Sequence, residues 1–276
     1  MTPKQLLELD KIITKKEWVD NPLHTSVNNK LFKLLNRLDN DEVTLILELL
    51  QKFTWISNSQ YDKKILDVFR KIDSNIIKSC KKLYFFPIVK PRDSKKLKSG
   101  LSIIYPIVGI LNYIEEFDHV NTGNIISNFQ QLKRITLKED EYLILVDDFI
   151  GSGKTFEDCY NQIQQYSIPN EKIIICTLAI QEDGLELIQK YGFSVYYSHI
   201  EKKGISNNYV GDEIITRISK MTLIEKKLKY NPSYSLGFEK SEGLISMIKT
   251  PNNTFPVFWH EYVEGEEVMK APFPRY

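Results

Sequence analysis

The sequence is poor in the residues that staple or metallate a fold. Its 276 residues contain only three cysteines, Cys80, Cys159 and Cys176, spaced like neither a disulfide framework nor a zinc site, so reduced thiols serving as small core side chains are expected. Four histidines, His24, His119, His199 and His260, are scattered without ligand spacing, and no protein-built metal site is expected. An excess of either charge is also lacking: 37 Lys plus Arg face 36 Asp plus Glu, for a formal charge of +1. That balance offers no global field for nucleic acid or a membrane surface. Any nucleic-acid contact would have to use a local patch, for which Lys90 to Lys98 is the best candidate. No apolar run approaches a membrane span, and the first residues, M-T-P-K-Q-L-L-E-L-D, carry acids among their leucines where a signal sequence would have an apolar core. A soluble cytoplasmic protein is the expectation. Repeats and low-complexity linkers are lacking too, so the parts of the chain are expected to share one body.

What is present is ordinary in bulk and patterned in detail. Hydrophobic residues make up 42% and charged residues 26%, as in soluble globular proteins. The length allows one α/β core with additions or two small domains. The first eighty residues carry helical spacing: Leu31, Leu34, Leu35 and Leu38; then Val43, Ile46, Leu47, Leu50 and Phe53, with Asp39 or Asp41 as cap; then Ile65 to Ile77 within one helix over Tyr61–Lys78. Trp18 and Trp55 read as packing anchors. From Leu83 the period changes. Leu83–Val89 suits a strand, with Pro87 implying an edge position or a bulge; a basic turn, Lys90–Gly100, and a helix over Leu101–Ile114 with a kink at Pro106 follow. Asp118–Asn128 reads as loop, and Gln131–Glu141 is ambiguous between strand and helix. Farther on, helices over Phe156–Tyr166, Gly184–Tyr191 and Asp212–Leu228 alternate with strands over Lys172–Ile180 and Phe193–Ile200, and Gly192 ends a helix in C-cap style. Such alternation implies a parallel sheet with crossover helices. Gly243–Lys249, the turn Thr250–Pro256 and Val257–Trp259 read as a small β cap. The expected organisation is a helical region over 1–80, an α/β core over 81–230 and a cap over 231–276.

The chemistry concentrates in Tyr142–Thr155, Y-L-I-L-V-D-D-F-I-G-S-G-K-T. A β-branched run ends in Asp147 and Asp148, and a glycine loop then opens a helix. The G-K-T ending suggests a triphosphate P-loop, but that motif needs glycine where Asp148 stands, and a carboxylate there repels phosphates. The residues fit a different anion site. Two strand-end acids can accept hydrogen bonds from vicinal sugar hydroxyls. The stretch Gly151, Ser152, Gly153, Lys154 and Thr155 places backbone amides and hydroxyls at a helix N-terminus, where a phosphate is favoured. Acids for the sugar beside amides for its phosphate describe a ribose 5-phosphate site. The alternative for each aspartate is a turn or cap role.

Asp147–Thr155, D-D-F-I-G-S-G-K-T, resembles the phosphoribosyl pyrophosphate motif of type I phosphoribosyltransferases. The wider chain resembles the divergent PRTase-CE branch found in bacterial conflict and antiphage systems, through its N-terminal helices with a Trp, Lys98-Ser99-Gly100, Gly237-Phe238, Leu244–Ile248, Pro251-Asn252-Asn253-Thr254 and Phe258-Trp259. The resemblance implies an α/β fold with a parallel-sheet phosphoribosyltransferase-like core, an N-terminal helical region and a small C-terminal β cap. It implies that Asp147 and Asp148, the candidate catalytic pair, hold the ribose hydroxyls, that Gly151–Thr155 hold the 5-phosphate, and that Lys98, Ser99 and Gly100 lie on the pyrophosphate side, for which a solvated loop is the alternative reading. Magnesium would accompany the pyrophosphate without a dedicated protein cage. Asn252 and Asn253, with Trp259 close behind, are candidates for a hood over the base, with a plain turn as the alternative. One departure counts: many base-salvage members carry Asp at the third variable position, which is Gly151 here. Both a transferase acting on a phosphoribosyl compound and a non-catalytic nucleotide sensor therefore stay open. A defence-system ATPase or reverse transcriptase is the implied protein partner, and homodimers are frequent among proteins resembling this family.

Overall fold

The structure is a computed structural model that describes residues 1–93, 99–264 and 267–275. It begins with three helices whose apolar stripes supply one core. Helix α1 (Pro3–Lys15) is opened by Thr2 and Gln5, which cap each other's backbone. Helix α2 (His24–Leu35) buries Val27, Leu31, Leu34 and Leu35. Helix α3 (Asn40–Lys52) starts at Asp39, whose backbone N–H donates to Glu42 Oε2 at 2.8 Å. Strand β1 (Thr54–Trp55) follows.

Next come α4 (Tyr61–Phe69), α5 (Ser74–Ser79), β2 (Lys82–Pro87), α6 (Ser99–Leu111), β3 (Asn121–Ile125), α7 (Phe129–Leu132), β4 (Glu141–Ile150), α8 (Lys154–Ile163), β5 (Ile173–Gln181), α9 (Glu182–Lys190) and β6 (Val195–Glu201). The chain ends with α10 (Asp212–Lys227), β7 (Ile245–Ser246), α11 (Pro256–Trp259), β8 (Tyr262–Glu264) and β9 (Glu267–Met269). The large sheet has the order β3-β2-β4-β5-β6, and its β2–β3, β2–β4 and β4–β5 pairings are parallel. The mixed α/β architecture is therefore the expected one. All nine residues of β5 are buried, which explains its unbroken apolar sequence.

The chain divides into two compact units, residues 59–200 and residues 1–58 with 201–276. These boundaries differ from breaks at 80 and 230. An amphipathic stripe announces a buried face but not the surface it meets: α4 packs against β5 and α6, whereas β1 pairs in parallel with β7 from the far end of the sequence. In the discontinuous unit, Trp18, Trp55 and Phe273 meet edge to face, and Phe53 stacks on Phe273 with centroids 4.5 Å apart. Both tryptophans are thus anchors of this core.

Several local expectations change. The helix read over Tyr61–Lys78 is two helices, broken before Asp73, whose carboxylate accepts from Asn75 N–H at 2.8 Å. Strand β2 is interior, despite Pro87. The Pro87 nitrogen falls on the β3 side, where the ladder has already ended with Ile126 N–H donating to Phe85 C=O, and Ile88 N–H resumes bonding to Val146 on the β4 side. Asp118–Asn128 contains strand β3, and Gln131–Glu141 is mostly irregular after the short α7. Val257–Trp259 is helical: Pro256 supplies an N1 proline, and all four residues of α11 are buried. The C-terminal β pair is instead β8–β9.

Candidate functional site

Strand β4 does not end at its acids. It continues to Ile150, with Asp147 opposite Thr177 and Phe149 opposite Ala179 on β5. Alternation along a strand sends successive side chains to opposite faces. Leu143 and Leu145 join Phe156, Cys159 and Tyr160 of α8 in one core cluster, and Asp147 shares their parity. Asp148 shares the parity of Ile144 and Val146 and turns to the other face, where the Tyr61 hydroxyl of α4 donates to its Oδ2 at 3.4 Å. Asp148 is only 7% exposed, whereas Asp147 is partly open. Asp147 Oδ1 also accepts the Asp148 backbone N–H at 2.9 Å. The two acids are neighbours in sequence and differ in surroundings.

The loop after β4 is shaped by glycine. Gly153 has φ +78°, the left-handed region, and precedes α8 as its N-cap. The first i→i−4 bond there runs from Glu157 N–H to Gly153 C=O at 2.9 Å, so the amides before Glu157 fall outside the helical ladder. Gly151, Ser152 and Thr155 are half-buried and Lys154 is exposed, while buried Phe156 anchors the helix below them. The loop rests on the first turn of α9. A Cβ on Gly184 would stand 2.2 Å from the Gly151 carbonyl oxygen, and one on Gly153 would stand 2.7 Å from Leu187 Cδ2.

After β2, Lys90 Nζ lies 3.2 Å from Asp158 Oδ2 on α8, so one lysine of the basic segment is committed to an ion pair. Lys98 lies outside the described residues. Ser99 and Gly100 are the first residues of α6, where the sequence predicts a turn running to Gly100 and a helix from Leu101. Asn252, Asn253 and Trp259 lie in the other unit. There the Asn252 carbonyl accepts from Phe238 N–H at 2.8 Å, and the Asn253 carbonyl accepts from Gly243 N–H and the Ser241 hydroxyl, both at 2.9 Å. The Asn253 side-chain Nδ2 is buried without a partner among the described residues. The Trp259 indole N–H donates to Thr254 C=O at 2.7 Å, and its buried ring meets Tyr234 edge to face.

The thiols have no place in this chemistry. Burial pushes Cys80 up to about 11 and Cys159 up to about 12, the nearby Asp147 charge adding to the latter, and burial raises Cys176 as well. Among the described residues, no group of three or more His, Cys, Asp or Glu could hold a metal by itself. A hard cation bound here would draw oxygen ligands from water and from a pyrophosphate, with partly open Asp147 the carboxylate suited to join them. Two residues of the site escape sequence reasoning. Gly184 leaves a faint signal, since glycine early in a helix costs about 1 kcal/mol relative to alanine. Tyr61 leaves none, because at the head of an apolar stripe it reads as packing.

The family model PRTase-CE matches residues 16–275. No curated protein matches. Among solved structures, the AQ2163 protein from Aquifex aeolicus aligns over 66% of this chain and 85% of its own at 13% identity, with a TM-score of 0.31. No helix of the described residues is long and apolar enough to cross a membrane.

Proposed function

The chain belongs to the PRTase-CE family and is a phosphoribosyltransferase-like protein, and from that premise we propose that the β4–α8 turn binds phosphoribosyl pyrophosphate or a nucleotide as part of a bacterial antiphage system. The observation that carries this reading is the acid pair at Asp147 and Asp148 near the end of β4, followed after Ile150 by a loop that enters α8 through left-handed Gly153. Carboxylates accept hydroxyl hydrogens, and outward amides at a helix start favour phosphate. Asp147 and Asp148 take the ribose hydroxyls, and Gly151 to Thr155 take the 5-phosphate. Lys98, Ser99 and Gly100 are assigned to the pyrophosphate. Magnesium, when bound with the pyrophosphate, would neutralise the leaving group.

In the catalytic form of this reading, the C1–oxygen bond to pyrophosphate breaks and an acceptor bond forms at C1 through an oxocarbenium-like state. The chain's part is to orient the ribose and hold negative carboxylates near developing positive charge. A second reading, a nucleotide sensor that regulates a defence partner such as an ATPase or reverse transcriptase, is favoured by Gly151, which supplies no acid for proton transfer to a base.

Ligand-dependent melting tests the common ground: phosphoribosyl pyrophosphate or a nucleoside monophosphate, with magnesium, is expected to raise the melting temperature. The absence of a shift with any of them removes the site. Incubation with labelled phosphoribosyl pyrophosphate and a panel of bases and nucleotides separates the two forms. Pyrophosphate release that disappears in Asp148→Asn identifies a transferase, and binding without turnover identifies a sensor.

A further inference from the structure

We propose that Tyr61 is a positioning residue for Asp148, fixing the orientation of its carboxylate at the ribose site; this rests on the phosphoribosyl reading above. Asp148 is nearly buried on the face of the sheet that carries α4. A carboxylate withdrawn from water is expensive unless hydrogen bonds replace its hydration. Tyr61 is the first residue of α4 and is itself 5% exposed. Its ring is therefore clamped by packing, and its hydroxyl has little freedom except to turn about the C–O bond. That hydroxyl meets Asp148 Oδ2 at 3.4 Å from a position 87 residues away in sequence.

The distance is long for a hydroxyl on a carboxylate, and hydrogen bonds of functional groups commonly tighten only when ligand arrives. A carboxylate offers about four acceptor sites, so a phenol on Oδ2 fixes the rotamer of the group without competing with a sugar hydroxyl for the same lone pair. Asp147 is partly open, and its Oδ1 accepts the Asp148 backbone N–H. Tyr61 thus ties Asp148 to a helix outside the strand–loop–helix unit.

The test is a double-mutant cycle. Tyr61→Phe keeps the ring and deletes only the hydroxyl, and Asp148→Asn keeps the shape and deletes the charge. Calorimetric titration with phosphoribosyl pyrophosphate and magnesium is expected to give about fivefold weaker binding for Tyr61→Phe in the otherwise intact protein, and less than a twofold further change when Asp148→Asn is already present. An equal loss in both backgrounds overturns the proposal, because the hydroxyl would then act without Asp148. If Asp148→Asn binds too weakly to titrate, or if the unaltered protein binds no phosphoribosyl compound, the same four proteins are compared by melting temperature. Non-additive shifts uphold the pairing, and additive shifts overturn it. A failure of ligand binding in the unaltered protein counts against the site, whereas an additive cycle counts against Tyr61 alone.

Discussion

The two units differ in how far their buried acids serve the backbone: in residues 59–200 Glu141 accepts one N–H, from Lys138 at 3.1 Å, whereas in residues 1–58 with 201–276 three glutamates hold loop peptides. In residues 59–200 the backbone is satisfied by ladder pairing in the large sheet, and Asp148 sits in a strand whose own polar groups are already served. In residues 1–58 with 201–276, much of the chain after α10 is irregular. Lys229, Leu236, Glu239, Lys240 and Glu242 all take left-handed backbone angles without being glycine, and Gly237 joins them at φ +82°, each non-glycine position costing about 1 kcal/mol. Some of these peptides close on nearby carbonyls, as Lys240 N–H does on Gly237 and Glu242 N–H on Leu236, and buried carboxylates take others in the unit. Glu225 accepts Leu236 N–H at 3.0 Å and the Ser235 hydroxyl at 2.6 Å, Glu201 accepts Leu244 N–H at 3.2 Å, and Glu242 accepts Ile205 N–H at 2.9 Å, Ser206 N–H at 2.8 Å and the Ser206 hydroxyl. Buried polar groups must find partners. A buried acid is therefore no sign of a site until its partners are known: these three glutamates and Glu141 are backbone acceptors, and Asp148 meets a side-chain hydroxyl near the glycine loop.

The largest break in this contrast is expected at Glu242. Glu242→Ala orphans the buried Ile205 N–H and the part-buried Ser206 N–H, and a loss of about 3 kcal/mol is expected in denaturant unfolding. Glu242→Gln, which keeps one acceptor oxygen, should lose clearly less; equal losses would show that the acceptor role is unimportant. Gly184→Ala is next. Its methyl would overlap the Gly151 carbonyl, so the loop must move or α9 must shift, at about 1 to 3 kcal/mol. Binding of phosphoribosyl pyrophosphate is expected to weaken more than tenfold while the melting curve stays cooperative. Undiminished binding would mean that the loop seat on α9 does not shape the phosphate cradle.

The smallest effect concerns Glu225, whose carboxyl is raised above its ordinary 4.5 chiefly by burial, against the opposing pull of its hydrogen bonds from Ser235 and Leu236. The folded state therefore holds this proton to higher pH than the unfolded chain does. The Glu225 contribution to stability is present below the unfolded value and is lost as pH rises through the folded one. Glu225→Gln removes that titration, so the melting-temperature difference between variant and unaltered protein should drift in the variant's favour as pH rises from 4 to 7. A constant difference would place the carboxyl at its ordinary value.

How much of this was legible without coordinates varies by element. Helical spacing located α2, α3 and α10, and the apolar run of β5 announced a strand buried on both faces, because period and composition are local properties. The acid pair and its glycine turn could be read for the same reason, since strand end, loop and helix start are contiguous. Strand β3 was not legible: Asn121–Ile125 is polar and rich in turn residues, and becomes a strand only because the edge of β2 offers it a ladder. Val257–Trp259 misled in the opposite sense, with β-type residues drawn into a helical turn by Pro256 and burial on all sides. The site showed both behaviours. Asp147, Asp148 and Gly153 are visible in one nine-residue motif, whereas Tyr61 and Gly184 belong to it through packing alone.

By itself, the sequence determined the class of the fold and the place of the acid pair and its glycine turn, because these follow from residue types at short spacing. Only the tertiary structure decided that α4 and α5 belong with the sheet and β1 with β7. It alone sent the two aspartates to opposite faces with different partners and used α9 as the floor of the loop. The physical reason is that long-range pairing is settled by which surfaces complement each other once the backbone is satisfied, and no local pattern carries that information.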